Sequence, residues 1–247
     1  MKIHKLLNLF LIVLIVASCK KEDKEVTKVV EFTSTTYTAL GPYDTTGKPS
    51  YLLPKDTISP GLKSFIASTL PERQDLRITN PELLTTKAIA DIPITRSSDV
   101  FITFVSQGTS YTNTFAYYKY PTAQPPASTK DIKEIIYIFP NSGNRTPLQK
   151  GDKVKIGTFE PGMSIGFVIL AKAWDASTHI LNNKVVHFCS NDVLNPEVDP
   201  ALKKHAVLIN YPAENKVLIG FEDLDRTSSQ CDHDFNDVVF YCTVNPT

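Results

Sequence analysis

Near the C-terminus the chain carries Glu222, Asp223, Asp225, Asp232, Asp234 and Asp237 within one short stretch, against a single arginine, Arg226. Apolar runs flank it, Val217 to Phe221 before and Val238 to Val244 after. If those runs pair as a hairpin, both acid clusters meet at one end of a sheet. Like charges about 4 Å apart repel by roughly 1 to 4 kcal/mol per pair, between the dielectrics of water and of a protein surface. Arg226 cannot offset the excess, and no lysine lies within the segment. Oxygen ligands in this number suit a hard cation: Ca²⁺ accepts roughly six to eight of them in flexible geometry, whereas Mg²⁺ requires a tight octahedron. Glu222, Asp223, Asp232, Asp234, Asn236 and Asp237 are therefore the candidate metal ligands, with Ca²⁺ the expected ion. The spacing Asp232-x-Asp234-x-Asn236 matches the first half of an EF-hand loop. Asp237 then stands where that loop uses glycine and Thr243 where it uses a bidentate glutamate, so the segment is not an EF-hand. The bland alternative is a solvated acidic turn.

Other chemistries are poorly represented. There is no G-x-S-x-G elbow, no H-E-x-x-H pair and no phosphate-cradling glycine loop. His179, His187 and His205 are scattered. Two carboxylates can serve a glycoside-acting enzyme as acid and nucleophile, but these cluster as metal ligands do, and no catalytic residue is assigned. A binding role is expected instead. Trp174, Tyr118 and Tyr120 are candidates for a ring-stacking platform that takes a glycan, with Tyr111 and Tyr117 nearby. The alternative is core or strand packing, which such tyrosines more often serve.

The elements that must position these groups are mostly strands. Val100 to Val105, Ile135 to Phe139, Val154 to Phe159, Ser164 to Ala171, Val185 to Cys189, Ala206 to Ile209, Val217 to Phe221 and Val238 to Val244 are short runs rich in Val, Ile and Phe. Turn chemistry such as NSGN, KGD, EPG and YPAEN separates them. So many short runs without helical patterns between them predict a mainly β fold, an antiparallel jelly-roll-like β-sandwich over residues 99–247. Before it, Ser59-Pro60 opens a short helix with Leu62, Phe65, Ile66 and Leu70 on one face, and Pro71 stops it, giving a helical segment over 59–98. Residues 19–58, rich in Thr, Ser, Lys and Pro, read as a tether with one strand near Val29 to Tyr37.

Residues 1–18 read as a secretory leader: a basic start, an apolar run from Leu6 to Val16, then Ala17 and Ser18. Val16-Ala17-Ser18-Cys19 resembles a bacterial lipobox, which makes Cys19 the expected lipidation site and the membrane a partner through that anchor. The following KKEDKE resembles an export signal for surface lipoproteins, so an outer-membrane, surface-exposed location is expected. Loss of Lys2 and Lys5 from a balance of 26 basic and 26 acidic groups leaves a mature charge of −2. Nothing in that charge suits nucleic acid. Of the cysteines past Cys19, Cys242 alternates in phase with Val238 and Phe240 and should face the core. Cys189 with Cys231 is the pairing to consider.

GFEDLDR, the polar spacer and DHDFNDVVFY resemble the C-terminal signature of domain of unknown function 4114, found in bacterial lipoproteins and secreted proteins. Upstream, SDVFITFVSQG, YTNTFAYYKYPTAQPP, IFPNSG, LQKGDKVKIGTF, GMSIGFVILAKAW and HFCSNDVLNPE extend the resemblance over roughly 99–247. It implies a β-sandwich with a calcium site at the six residues named above, and no established reaction. The expected role is a cell-surface binding or adhesion module for a glycan or a surface protein, with a structural spacer or assembly subunit as the alternative.

Overall fold

A computed structural model describes residues 32–85 and 90–247. The leader, Cys19 and the KKEDKE run lie outside the described residues. Thirteen strands run in chain order as β1 (Thr36–Ala39), β2 (Ile92–Pro93), β3 (Ser98–Gln107), β4 (Thr114–Pro121), β5 (Glu134–Phe139), β6 (Lys153–Phe159), β7 (Met163–Leu170), β8 (Trp174–Asp175), β9 (Ile180–Leu181), β10 (His187–Cys189), β11 (Ala206–Tyr211), β12 (Lys216–Phe221) and β13 (Val238–Pro246). All eight expected runs are strands within a few residues of their expected ends. The chain is mainly β, and among the described residues no helix is long and apolar enough to cross a membrane.

Two sheets face each other. The first has the order β1-β5-β4-β7-β10, with β2 also on β7, and the second has the order β11-β12-β13-β3-β6. Phe115 and Tyr117 of β4 and Ile165, Phe167 and Ile169 of β7 meet Ile102 and Phe104 of β3, Ile219 and Phe221 of β12, and Val238 and Phe240 of β13 in one core. Cys242 joins that core, as its phase predicts. Period-2 alternation puts these side chains inward.

The outward faces are covered as well. Two helices, α1 (Pro60–Thr69) and α2 (Leu76–Thr79), lie over the second sheet, where Leu62, Leu70 and Leu76 pack with Val105, Val207, Leu218, Val239 and Tyr241. Ser59 caps α1 by accepting a hydrogen bond from the Leu62 N–H at 3.0 Å, and Pro60 follows at the first helical position, as expected. Over the first sheet, Ala116, Tyr118, Val168, Leu170 and Cys189 are buried under the loops carrying Ile132, Ala173 and Leu194.

Two features differ from the expectation. The segment read as a tether does contribute a strand, β1, overlapping the end of the one expected near Val29 to Tyr37, but it is built into the fold and pairs with β5 in parallel, while every other strand pairing among the described residues is antiparallel. Phe32 and Ile58 on either side of it are buried. The second is β4, whose aromatic residues were assigned to a ligand platform and instead form a strand paired with both β5 and β7. Cys189, Cys231 and Cys242 are all free and buried, so the Cys189–Cys231 pairing is not formed.

Leu62 is fully buried where α1 meets the second sheet. Leu62→Ala should therefore cost about 2 to 5 kcal/mol through lost transfer energy and a cavity. A urea titration checks this: the midpoint falls, and an unchanged midpoint would mean that α1 does not pack on the sheet.

Candidate metal centre

The acidic stretch connects β12 to β13, neighbours at the middle of the second sheet. Glu222 and Asp223 leave β12, and Asp232, Asp234, Asn236 and Asp237 lead into β13. One oxygen each from Glu222, Asp232 and Asp234 lies within 4.8 Å of the others. Two ligands at about 2.3 to 2.6 Å from one ion can be no farther apart than about 5 Å, so the three suit a single cation.

Glu222 is the most constrained of them. Its side chain has no solvent exposure, and neither carboxylate oxygen has a hydrogen-bond partner of normal geometry. Burial, followed by the Asp232 and Asp223 charges, pushes its pKa up to about 7. Asp234 is also buried and raised, chiefly by desolvation, although its oxygens accept hydrogen bonds from the Arg73 N–H at 2.8 Å and the Asn236 N–H at 3.0 Å. Asp232 is exposed and closes the group from the solvent side.

The other expected ligands form a second group. Asp237 Oδ2 accepts the Asp223 N–H at 2.8 Å, and Asp223 accepts the Asn113 amide. Burial raises both carboxyls, and for Asp237 the Asp223 and Glu222 charges add to it. Lys172, between β7 and β8, partly offsets Asp223. Asn113 and Lys172 were not singled out from sequence, and no local pattern marks them, because they arrive from the loop before β4 and the turn after β7, far away in the chain. Asn236 is turned away, its Nδ2 donating to the Leu70 carbonyl at 3.3 Å. Asp225 accepts the Thr227 N–H and hydroxyl at 2.8 and 2.7 Å within its own turn.

Arg226 forms no ion pair with any of these acids among the described residues. Its Nη1 donates to the Lys204 carbonyl at 2.9 Å, its Nε to His233 Nδ1 at 3.2 Å, and its guanidinium lies 5.0 Å from the centre of the Phe235 ring. The one arginine of the stretch thus anchors the loop and leaves the carboxylates to one another.

Local backbone chemistry turns the loop. His233 and Phe235 hold φ of 60° and 57°, alternating with the three residues Asp232, Asp234 and Asn236. Left-handed conformations are costly for a bulky residue such as Phe and persist only where the surroundings enforce them. Here Phe235 is fully buried against the second sheet, and a Cβ on Gly220 would lie 2.4 Å from the Phe235 carbonyl oxygen. Glycine in β12 is what lets the loop lie on the strand.

The expected ring platform is not open. Trp174 is 2% exposed, edge-on to Tyr43 at 6.0 Å, and Tyr118 is 1% exposed. The Tyr118 ring covers Gly166 across the β4–β7 pairing, where a Cβ would lie 2.1 Å from it. Tyr120 is partly buried, stacks on Tyr118 at 6.2 Å and donates to Asp91 at 2.6 Å. Tyr117 lies in the core, and Lys172 covers Tyr111 at 3.8 Å. A sugar needs a free ring face, and these rings are packed against protein.

Gly220→Ala should force the loop off β12 or strain the strand, costing about 1 to 3 kcal/mol. That is a melting-temperature drop of roughly 2 to 12 °C for a domain of this size. Thermal denaturation showing no drop would mean that the loop does not rest on Gly220.

Comparison with known proteins adds one partial match. A family model described as Domain of unknown function (DUF4114) matches residues 159–245, from the end of β6 through β13. No curated protein and no solved structure matches the chain. The matched segment contains the whole acidic loop and both of its flanking strands.

Proposed function

We propose that the chain is a cell-surface lipoprotein whose β-sandwich is stabilised by calcium and serves as a binding or adhesion module. The observation that carries the metal part is the Glu222 carboxylate: fully buried, without a partner, and within reach of Asp232 and Asp234. A buried charge left unpaired costs several kcal/mol, and the local arginine is engaged elsewhere. Glu222, Asp232 and Asp234 would hold the ion, with the Asp223–Asp237 pair beside them. Oxygen-only ligation favours Ca²⁺ over softer metals, and the mixture of carboxylates with differing exposure suits its flexible geometry better than that of Mg²⁺.

The finer fold reading belongs to the same proposal. Chain crossings between the sheets at β2–β3, β3–β4, β5–β6, β6–β7 and β10–β11 support a jelly-roll-like sandwich. Anchoring through Cys19 and an outer-membrane, surface-exposed location rest on the N-terminal sequence alone. A second reading, a spacer or assembly subunit that contacts another surface protein, gains from one observation: Trp174 and Tyr118 are packed rather than open to a glycan.

Calorimetry tests the metal. An ion that binds only the folded state adds about 2.7 kcal/mol at a hundredfold over its dissociation constant, which raises the melting temperature by roughly 5 to 10 °C. Asp234→Asn should remove most of that rise, whereas Asp225→Asn, whose carboxylate serves its own turn, should leave it. No rise and no heat on titration with millimolar calcium would reduce the stretch to an acidic turn.

The raised Glu222 pKa gives a pH dependence with a definite sign. In chelator the folded protein holds a proton that the unfolded chain releases at lower pH. This contribution to stability is complete below about 4.5 and is lost as pH rises through about 7. The melting temperature in chelator should fall over that window, and Glu222→Gln should lessen the fall, the raised Asp223, Asp234 and Asp237 carrying the rest, while abolishing the response to calcium. A chelator profile that rises over the same window would contradict the burial of this carboxylate.

Membrane fractionation tests the anchor. Cys19→Ser should abolish incorporation of labelled fatty acid and release the protein from membranes with its melting temperature unchanged. Fractionation like that of the wild type would remove the lipoprotein assignment.

A further inference from the structure

A second feature adjoins the acidic loop and shares Asn236 with it. A cleft of ≈ 480 Å³ separates the C-terminal end of α1 from the ends of β3 and β13. Its volume is in the range that holds small ligands. Ile66 and Leu70 of the helix and Val239 of β13 give it an apolar wall, while Glu72, Gln107 and Asn236 give it a polar end.

Each of these three polar residues has an oxygen to spare. Asn236 directs its Nδ2 to the Leu70 carbonyl, which leaves Oδ1 without that role. The Glu72 side chain is 65% exposed and meets Arg73 through Oε1 only, at 3.6 Å. Gln107 Oε1 is buried and has no hydrogen-bond partner. Two of the oxygens converge: a Cβ on Gly108 would lie 3.7 Å from both Asn236 Oδ1 and Glu72 Oε2. Gly108 has no side chain to fill the space between them.

An apolar wall that ends in a carboxylate and two neutral acceptors complements a ligand with the opposite layout. Such a ligand is apolar along its length and carries a positive charge with several N–H donors at its tip. A primary ammonium has three donors and no acceptor, and its alkyl stem is the part that long cationic chains lay along apolar surface. We propose that this cleft binds a primary alkylammonium group, with the ammonium between Glu72 and Asn236 and the stem along Ile66, Leu70 and Val239. The group can belong to a free amine or to a lysine side chain, since the chemistry is shared.

Titration of the full chain in excess chelator, where the cation loop takes no part, tests the cleft separately from the calcium reading. The probes are hexylammonium, the Nα-acetyl amide of lysine, and hexanol as the uncharged control. Hexylammonium should bind saturably and at least about tenfold more tightly than hexanol. Glu72→Gln, a neutral change at an exposed side chain, should weaken hexylammonium by about tenfold and leave hexanol unaffected. Ala67→Trp, on the exposed surface of α1 within the cleft, should abolish binding of both amines without lowering the melting temperature. Tighter binding of the lysine derivative would assign the cleft to a protein lysine, and tighter binding of hexylammonium to a free amine; either supports the proposal. Equal affinity for hexanol and hexylammonium, or no effect of Glu72→Gln, would overturn it.

Discussion

The structure turns on one buried carboxylate. Glu222 stands at the end of a central strand with both oxygens shielded from water and without a hydrogen bond of normal geometry. At an effective dielectric of about 20, two charges about 4.8 Å apart repel by roughly 3 kcal/mol. Asp232 and Asp234 both lie that close to it. Asp232 is exposed and can turn its charge toward water, but Glu222 and Asp234 are buried and cannot. Phe235 pins the loop into the layer beneath α1 and α2, Gly220 lets its backbone lie on β12, and Arg226 ties it to the Lys204 carbonyl. The charge is held in place by apolar contacts that have nothing to do with charge.

That arrangement explains why the arginine fails as a counter-ion. A guanidinium that donates to carbonyls and lies against an aromatic ring orients the loop rather than neutralising it. Neutralisation then has two routes: a proton, which the raised Glu222 and Asp237 pKa values allow, or a cation, which the proposed calcium supplies. The two compete for the same oxygens. Protonation leaves the carboxyls as weak ligands, and a cation that binds must displace the proton. Metal affinity and pH are coupled at such a site whatever the ion.

How much of this was legible in the sequence differs by element, for physical reasons. Runs such as Val154 to Phe159 are strands because β-branched and aromatic residues between turn formers leave little alternative. The strand β4 was hidden by its own tyrosines. Tyr117 faces the core and Tyr118 the outer layer, and a ring's identity does not say which surface covers it. Burial of β7 along nearly its whole length has the same origin, since both sheet faces are roofed and the in–out alternation disappears. The strand β1 is a short Thr-rich segment whose partner is 98 residues away, and nothing local encodes such a pairing. In the acidic loop the residue types and their spacing pointed to a cation. Which acids converge did not follow, because it depends on left-handed backbone at His233 and Phe235, neither of them glycine.

The position of the loop within the sheet also decides how rigid the site is. β12 and β13 are flanked by β11 and β3, so neither of the strands that carry the acids is an edge. Glu222 directly follows the Phe221–Val238 pair that closes the β12–β13 ladder, so shifting its backbone would disturb that ladder, whereas Asp234 is held in the loop by the Arg73 and Asn236 N–H groups. Side chains supported in this way are held close together by the fold itself, so the cost of assembling the cluster belongs to folding. The calcium proposed for this loop would therefore meet charges that folding has already brought together.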